Sequence, residues 1–402
     1  MRDKNNIFRV TGKVQHYQWG GFDYIPALLG LSNNDHQPFA EYWLGAHENA
    51  PAQAANGQGL NELIQQNPAY LGAATEQQFG RLPYLLKILD VKDMLSIQVH
   101  PNKKAAVYEF DNENKLGTPL NAPKRNYKDD NHKPELMMAL GDFWLLHGFQ
   151  TPGRLTATIA AVPEFAFMLP VFEKGCYKAL YELVMMMDQE KVNAILQPVL
   201  NRIVPLYQAG KLQKASPDFW AARAALTFNE GNKIDRGIFS VYLFNVLYLQ
   251  KGEAVFQDAG ILHAYLEGQN VEIMANSDNV LRGGLTPKHI DVSELMKHVI
   301  FEPTDPNIIR GEPISEAETV FKTPAPDFEL SRIILAPGQT CRLQIASADI
   351  FLLLAGDLEV SSGTNTETLK RGEAFMAVNG AEVTMKSSSS AEVYRAAVPL
   401  QG

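Results

Sequence analysis

The stretch LPYLLKILDVKDMLSIQVHPNK, residues 82–103, reads as buried strands of a sheet. Leu95, Ile97 and Val99 alternate with Ser96, Gln98 and His100. Strand residues two apart share a face, so Gln98 and His100 can aim at one point. Lys87 sits inside the apolar run YLLKIL. Turned inward it is costly unless it meets an anion; turned outward it can snorkel. The run alone does not choose between the two.

After this stretch the chain turns polar and loop-like over residues 104–134, longer than an ordinary connection, and long loops in compact domains are frequently functional. The loop closes with NYKDDNHKPE (126–135), which sets His132, Lys133 and Glu135 close together. ELMMALGDFWLLHGFQ (135–150) returns to β character, and His147 within it is expected to be a core histidine. Before residue 82, short β-like pieces include HYQWGGFDY (16–24) and AEYWLGAH (40–47). Tyr17, Trp19, Tyr42 and Trp43 suit a core or pocket wall, His47 suits packing or a loop, and residues 60–80 suit a helix.

From about 153 to 236, apolar residues recur at three- and four-residue spacing, the period of helices. Met185–Met187 and Cys176 are expected to serve packing there. Residues 237–300 resume β structure, with turns at Lys251-Gly252, Ala259-Gly260 and Glu267-Gly268, the rhythm of a barrel or sandwich. EPTDPNIIRGEP (302–313) and TPAPDF (323–328) read as linker. Short strands fill 329–400, a segment without histidine. The turns KGE (251–253) and RGE (371–373), each leading into an apolar strand, hint at two related barrels.

At 402 residues, two or three domains are expected. The 46% hydrophobic and 20% charged composition is that of a globular protein rather than a disordered one. A net charge of -9 argues against broad nucleic-acid binding. Cys176 and Cys341 are too few for a disulfide framework or a thiolate zinc cluster. MRDKNNIFRV lacks the apolar run of a signal peptide, and no stretch is long enough to span a membrane. The expectation is a soluble cytoplasmic monomer.

Gln98, His100 and Glu135 offer a metal site short of one donor. His263 in AGILHAY (259–265), where a strand would begin after a glycine turn, is the strongest further candidate. The set has the mixed nitrogen and oxygen donors that suit zinc, although each histidine alone is more often core or surface. NVEIMANSDNVLRGGLTPK (270–288) adds Glu272, Asp278, Arg282 and Lys288. The bland account is a solvated loop. Against it, Gly283-Gly284 lies between two cations, where bare backbone could approach an anionic ligand.

SIQVHPNK, NYKDDNHKPE, HAY and NSDNVLRGGLTPK, in this order, resemble the type I phosphomannose isomerases, and AEYWLGAH and LPYLLKIL extend the likeness toward the start of the chain. The resemblance implies a mainly β fold with an α-helical insertion: two cupin-like, jelly-roll β-barrels plus a helical domain. On that expectation, 1–152 and 237–318 form the catalytic barrel, 153–236 the insertion and 319–402 the C-terminal barrel. It further implies one zinc ion on Gln98, His100, Glu135 and His263, a catalytic Arg282, and Lys133, His132, Glu272 and Asp278 lining the site. Lys87 falls in the pocket, Tyr265 faces with His263, and Ser96, Lys103, Arg282 and Lys288 are the candidates for holding phosphate.

The implied reaction interconverts mannose 6-phosphate and fructose 6-phosphate, so the expected partner is a small phosphorylated hexose. The general base stays open between a carboxylate, Asp278 or Glu272, and Lys133. Two rivals stand beside it: a non-catalytic cupin-like protein that binds sugar phosphates, and a metal-dependent oxygenase. The latter would favour two histidines and one carboxylate on iron, which the added Gln98 and the Arg282/Lys288 pair fit less well.

Overall fold

The structure is a computed structural model and describes residues 6–399. Two β-barrel units lie face to face, and a helical region covers a further side of the first. In the strand Tyr84–Val91 every residue is buried, which alternation explains. Tyr84, Leu86 and Ile88 belong to a core that also holds Ile350, Leu352, Met376 and Tyr394 of the C-terminal unit. Leu89 and Val91 belong to a separate core with Met137, Val255 and Tyr265. A strand buried on both faces reads as a continuous apolar run, as YLLKIL does. Each large side chain fully buried this way contributes about 1.5–3 kcal/mol.

The same alternation settles Lys87. It pairs in register with Trp43 on one side and Glu272 on the other, and Glu272 in turn with Met137. Cross-strand partners share a face, so Lys87 points into the first barrel. The long strand His263–Ala275 bends at a bulge between Tyr265 and Glu267 and serves two groups of strands. Its first part pairs with Ile97–Val99 and Phe143–Phe149, its second with Tyr84–Val91 and Glu135–Ala139. One strand thereby lines the barrel from both sides.

In the C-terminal unit an eight-stranded sheet faces a four-stranded one, with Phe351 stacked on Phe375 at 4.5 Å within the core between them. The strand Ile7–Thr11 joins this larger sheet, pairing with Ala374–Ala377. Residues near the start of the chain thus complete a sheet built from its end. TPAPDF is not a loose linker: Ala325, Asp327 and Phe328 are all buried.

Three local expectations fail. The segment expected to be all loop over 104–134 contains the helix Lys103–Lys115, started by Asn102, whose side chain accepts from the Ala105 amide. Ala106 is its one buried residue, so it needs no apolar stripe and shows none. GIFSVYL, read as the return of β structure, is the buried helix Gly237–Leu243, because a short apolar run suits either state. Gly284 lies tightly against this helix, and Gly283 against Tyr181 and Ile97. Gly284 has φ 129°, and a Cβ there would lie 2.4 Å from Gly237 Cα. Cys176, expected to pack, is exposed at a kink in the helix Leu169–Met186.

Candidate metal centre and active site

Three ligand atoms converge at the centre of the first barrel. His100 Nε2 lies 3.4 Å from Glu135 Oε1, and His263 Nε2 lies 3.3 Å from Glu135 Oε2. All three residues are at most 2% exposed. The other ring nitrogen of each histidine is committed: His100 Nδ1–H donates to the Asn279 carbonyl (2.7 Å) and His263 Nδ1–H to the Ile261 carbonyl (2.9 Å). This fixes both tautomers with a bare Nε2 turned inward, the usual arrangement around a metal-ligating histidine. His100 Nε2, His263 Nε2 and Glu135 Oε2 are buried without a hydrogen-bond partner. Left that way they cost free energy; a cation satisfies all three. Burial lowers the His100 pKa to about 4, so its ring stays neutral and able to ligate.

Sheet register supplies the next shell of side chains. Arg282 pairs with Gln98, Gln98 with His263, and His263 with His147, one row across four strands. The fourth expected ligand, Gln98, is therefore the direct neighbour of His263, and Arg282 lies one strand further along the same row. His147, buried as expected, lies beside His263 but outside the converging trio.

Beneath the trio is a buried charge network. Lys87 Nζ lies 3.1 Å from Glu272 and 3.4 Å from Glu41, and 5.0 Å over the Trp43 ring. Glu41 accepts from the Trp43 indole. Tyr265 OH donates to Glu272 (2.7 Å) and accepts from Gln257 (3.0 Å), so Tyr265 supports the floor rather than the open pocket. Lys133 Nζ meets Glu135 Oε1 at 3.1 Å. Burial opposes the charge on Lys87, but Glu41, Glu272 and Glu135 outweigh it and raise its pKa. Burial likewise works to raise the Glu135 carboxyl, yet Lys133 and His100 hold it well below the usual carboxylate range.

A partner-less buried charge destabilises strongly. Lys87→Met, which strands Glu41 and Glu272, is expected to cost about 3–5 kcal/mol. Adding Glu272→Gln should recover part of that loss. Urea denaturation of the three proteins checks this, and an unchanged midpoint for Lys87→Met alone would show that the network is not load-sensitive.

At the rim, Asp278 is partly exposed and accepts from His47 Nε2–H at 3.2 Å, while His47 Nδ1 accepts from the Asn49 amide. Among the described residues no hydrogen bond or ion pair engages the Arg282 side chain, whose pKa burial lowers. Lys288 sits at the surface with its pKa lowered by partial burial and by Arg282, and Lys128 feels Arg282 too. Ser96 is partly exposed just before the strand Ile97–Val99. Lys103 instead fastens the loop, donating to Asp130 O and Asn131 Oδ1 at 3.0 Å. His132 is turned away from the trio onto Asp327.

Several residues carried no signal of this kind in the sequence: Glu41, His47, Lys128, Asn279 and Asp327. Asn279 is the most engaged of them. Its side chain accepts from the Lys128 amide and donates to the Asp129 and Asn131 carbonyls, while its own carbonyl holds His100. The run NSDN thus ties the loop bearing Lys133 to a metal-ligand candidate.

Fold and site together define a cupin-like barrel protein with a buried His/Glu/His metal centre. A family model described as phosphomannose isomerase type I, catalytic domain, matches residues 7–151. Mannose-6-phosphate isomerase of Escherichia coli (strain K12) is 36% identical over 393 residues, 94% of this chain and 96% of that one. Mannose-6-phosphate isomerase 1 of Arabidopsis thaliana is 30% identical, over 98% of this chain and 95% of that one. The crystal structure of mannose 6-phosphate isomerase from Salmonella typhimurium bound to substrate (fructose 6-phosphate) and zinc superposes with a TM-score of 0.87 at 33% identity, over 98% of this chain and 100% of that one. The chain belongs to the type I phosphomannose isomerase family.

Proposed function

We propose that this chain is a zinc-dependent aldose–ketose isomerase interconverting mannose 6-phosphate and fructose 6-phosphate by moving a proton between C1 and C2 through an enediol. The observation that carries the reading is the convergence of three buried, partner-less ligand atoms beside an unpaired arginine. Gln98, His100, Glu135 and His263 would hold the zinc, which would orient the open-chain sugar and polarise its oxygens.

The chain's own groups divide the remaining work. Arg282, uncompensated and drawn into a partly buried site, favours negative charge developing on the enediol oxygens. Lys288 and Lys128 extend that positive field outward, where a phosphate would lie, and Ser96 remains a further candidate to hold it. Lys133, paired with Glu135, and Asp278, paired with His47 at the rim, are the candidates to move the proton. Glu272 suits that task less, because Lys87 and Tyr265 already occupy its oxygens. Lys103 and Tyr265 act at one remove, through the loop and the barrel floor.

The reading includes a monomer in the cytoplasm, without nucleic-acid or membrane partners. Its supports are the charge of -9 and two free cysteines. No helix among the described residues is long and apolar enough to cross a membrane.

A coupled assay of mannose 6-phosphate conversion tests the function. Turnover should disappear on chelation and return with added zinc. Turnover that survives complete metal removal would keep the isomerase and discard the metal's role. A zinc-loaded protein that binds the sugar phosphate without turnover would be the non-catalytic alternative.

A further inference from the structure

His132 precedes Lys133 directly, yet its ring faces the C-terminal unit. Its Nε2–H donates to Asp327 Oδ2 at 2.9 Å, across 195 residues of sequence. Asp327 is 2% exposed. Its neighbours Ala325 and Phe328 are buried in the core shared by the two barrels, and Pro324 and Pro326 restrict the backbone around it. The carboxylate is therefore a fixed point, and a buried carboxylate needs such a partner.

At its other end the bond reaches a segment whose placement matters. Within the next three residues, Lys133 delivers its ammonium to Glu135, and Glu135 faces both histidines. On the opposite side, Asn131 is tied to Lys103, Asn276 and Asn279. Among the described residues, His132 is the point at which a polar contact from the second barrel reaches this segment.

We propose that Asp327 is a positioning residue for the reaction: through His132 it fixes the backbone that presents Lys133 and Glu135, so the C-terminal barrel completes the site. The proposal rests on the isomerase reading above, and its test separates the two. Full-length Asp327→Asn, His132→Gln and the double variant would be compared with wild type for kcat, KM, zinc affinity and thermal midpoint.

Each single variant should lose about tenfold in kcat with KM within twofold, and about threefold to tenfold in zinc affinity, at or below the lower end for a direct outer partner of a metal ligand, because His132 is not itself a ligand. The double variant should be no worse than the poorer single, because both remove one linkage. Asp327→Glu should recover part of the loss. Losses that multiply in the double variant, or an Asp327→Asn protein within twofold of wild type in both kcat and zinc affinity, overturn the proposal. If wild type does not turn over, the isomerase reading fails, while the zinc affinities still decide whether Asp327 acts through His132.

Discussion

Glu135→Gln is expected to leave the purified protein without stoichiometric zinc and without measurable isomerase activity. The substitution conserves size and removes one charge at the point where two imidazole Nε2 atoms and the Lys133 ammonium converge. Losing an outer partner of a metal ligand already lowers affinity by about 10–100-fold, so losing a ligand should exceed 100-fold. The amide nitrogen would also place a donor where a bare acceptor is needed, and Lys133 would be left buried with no carboxylate at 3.1 Å. Metal analysis and zinc titration of the folded variant provide the check. A variant that keeps one zinc per chain at wild-type affinity would remove Glu135 from the ligand set.

The ligand trio was legible because each member stands in a short run with its own local logic. His100 follows directly on the strand that carries Gln98, Glu135 opens another, and His263 begins a third after a glycine turn. The resemblance to the family then joined runs that periodicity could not. Lys87 was half legible. Its run said it was buried, but its direction needed the register that pairs it with Glu272.

What stayed hidden is what depends on distance along the chain or on surroundings. Nothing in TPAPDF announces that Asp327 meets a histidine 195 residues earlier. Nothing in IFRVT says that it pairs with Ala374–Ala377. The helix Lys103–Lys115 escaped because a mostly exposed helix is stable here without an apolar stripe, held by its Asn102 cap and by Lys103 on the loop. GIFSVYL escaped for the opposite reason: buried on every side, it had no periodicity to show.

Those hidden contacts make the site a joint product of distant segments. His100 is oriented by the Asn279 carbonyl, and the Asn279 side chain grips the loop that carries Lys133. The same loop is held from the far side by Asp327. A catalytic barrel on its own would have the ligands but a less restrained approach to them, and preorganised groups are what an electrostatic site depends on.

Arg282→Ala should lower kcat by about 100- to 1,000-fold, the loss expected when one preorganised stabilising donor is removed, with zinc content unchanged. Arg282 is neither a ligand nor part of the buried ion-pair network, so the metal centre should survive its removal. It is held in the row with Gln98 and His263 by strand register, and Gly284 lets that strand lie tightly against the helix Gly237–Leu243. Arg282→Lys should recover little, because a compact ammonium cannot reproduce a planar fork of donors. Burial that lowers the pKa of an unpaired guanidinium is tolerable in a site that supplies an anion during turnover, and wasteful elsewhere. Alanine should therefore be at least as stable to denaturant as wild type while being far slower. Turnover within a few-fold of wild type would remove Arg282 from charge stabilisation; a large loss in stability would instead make it a structural residue.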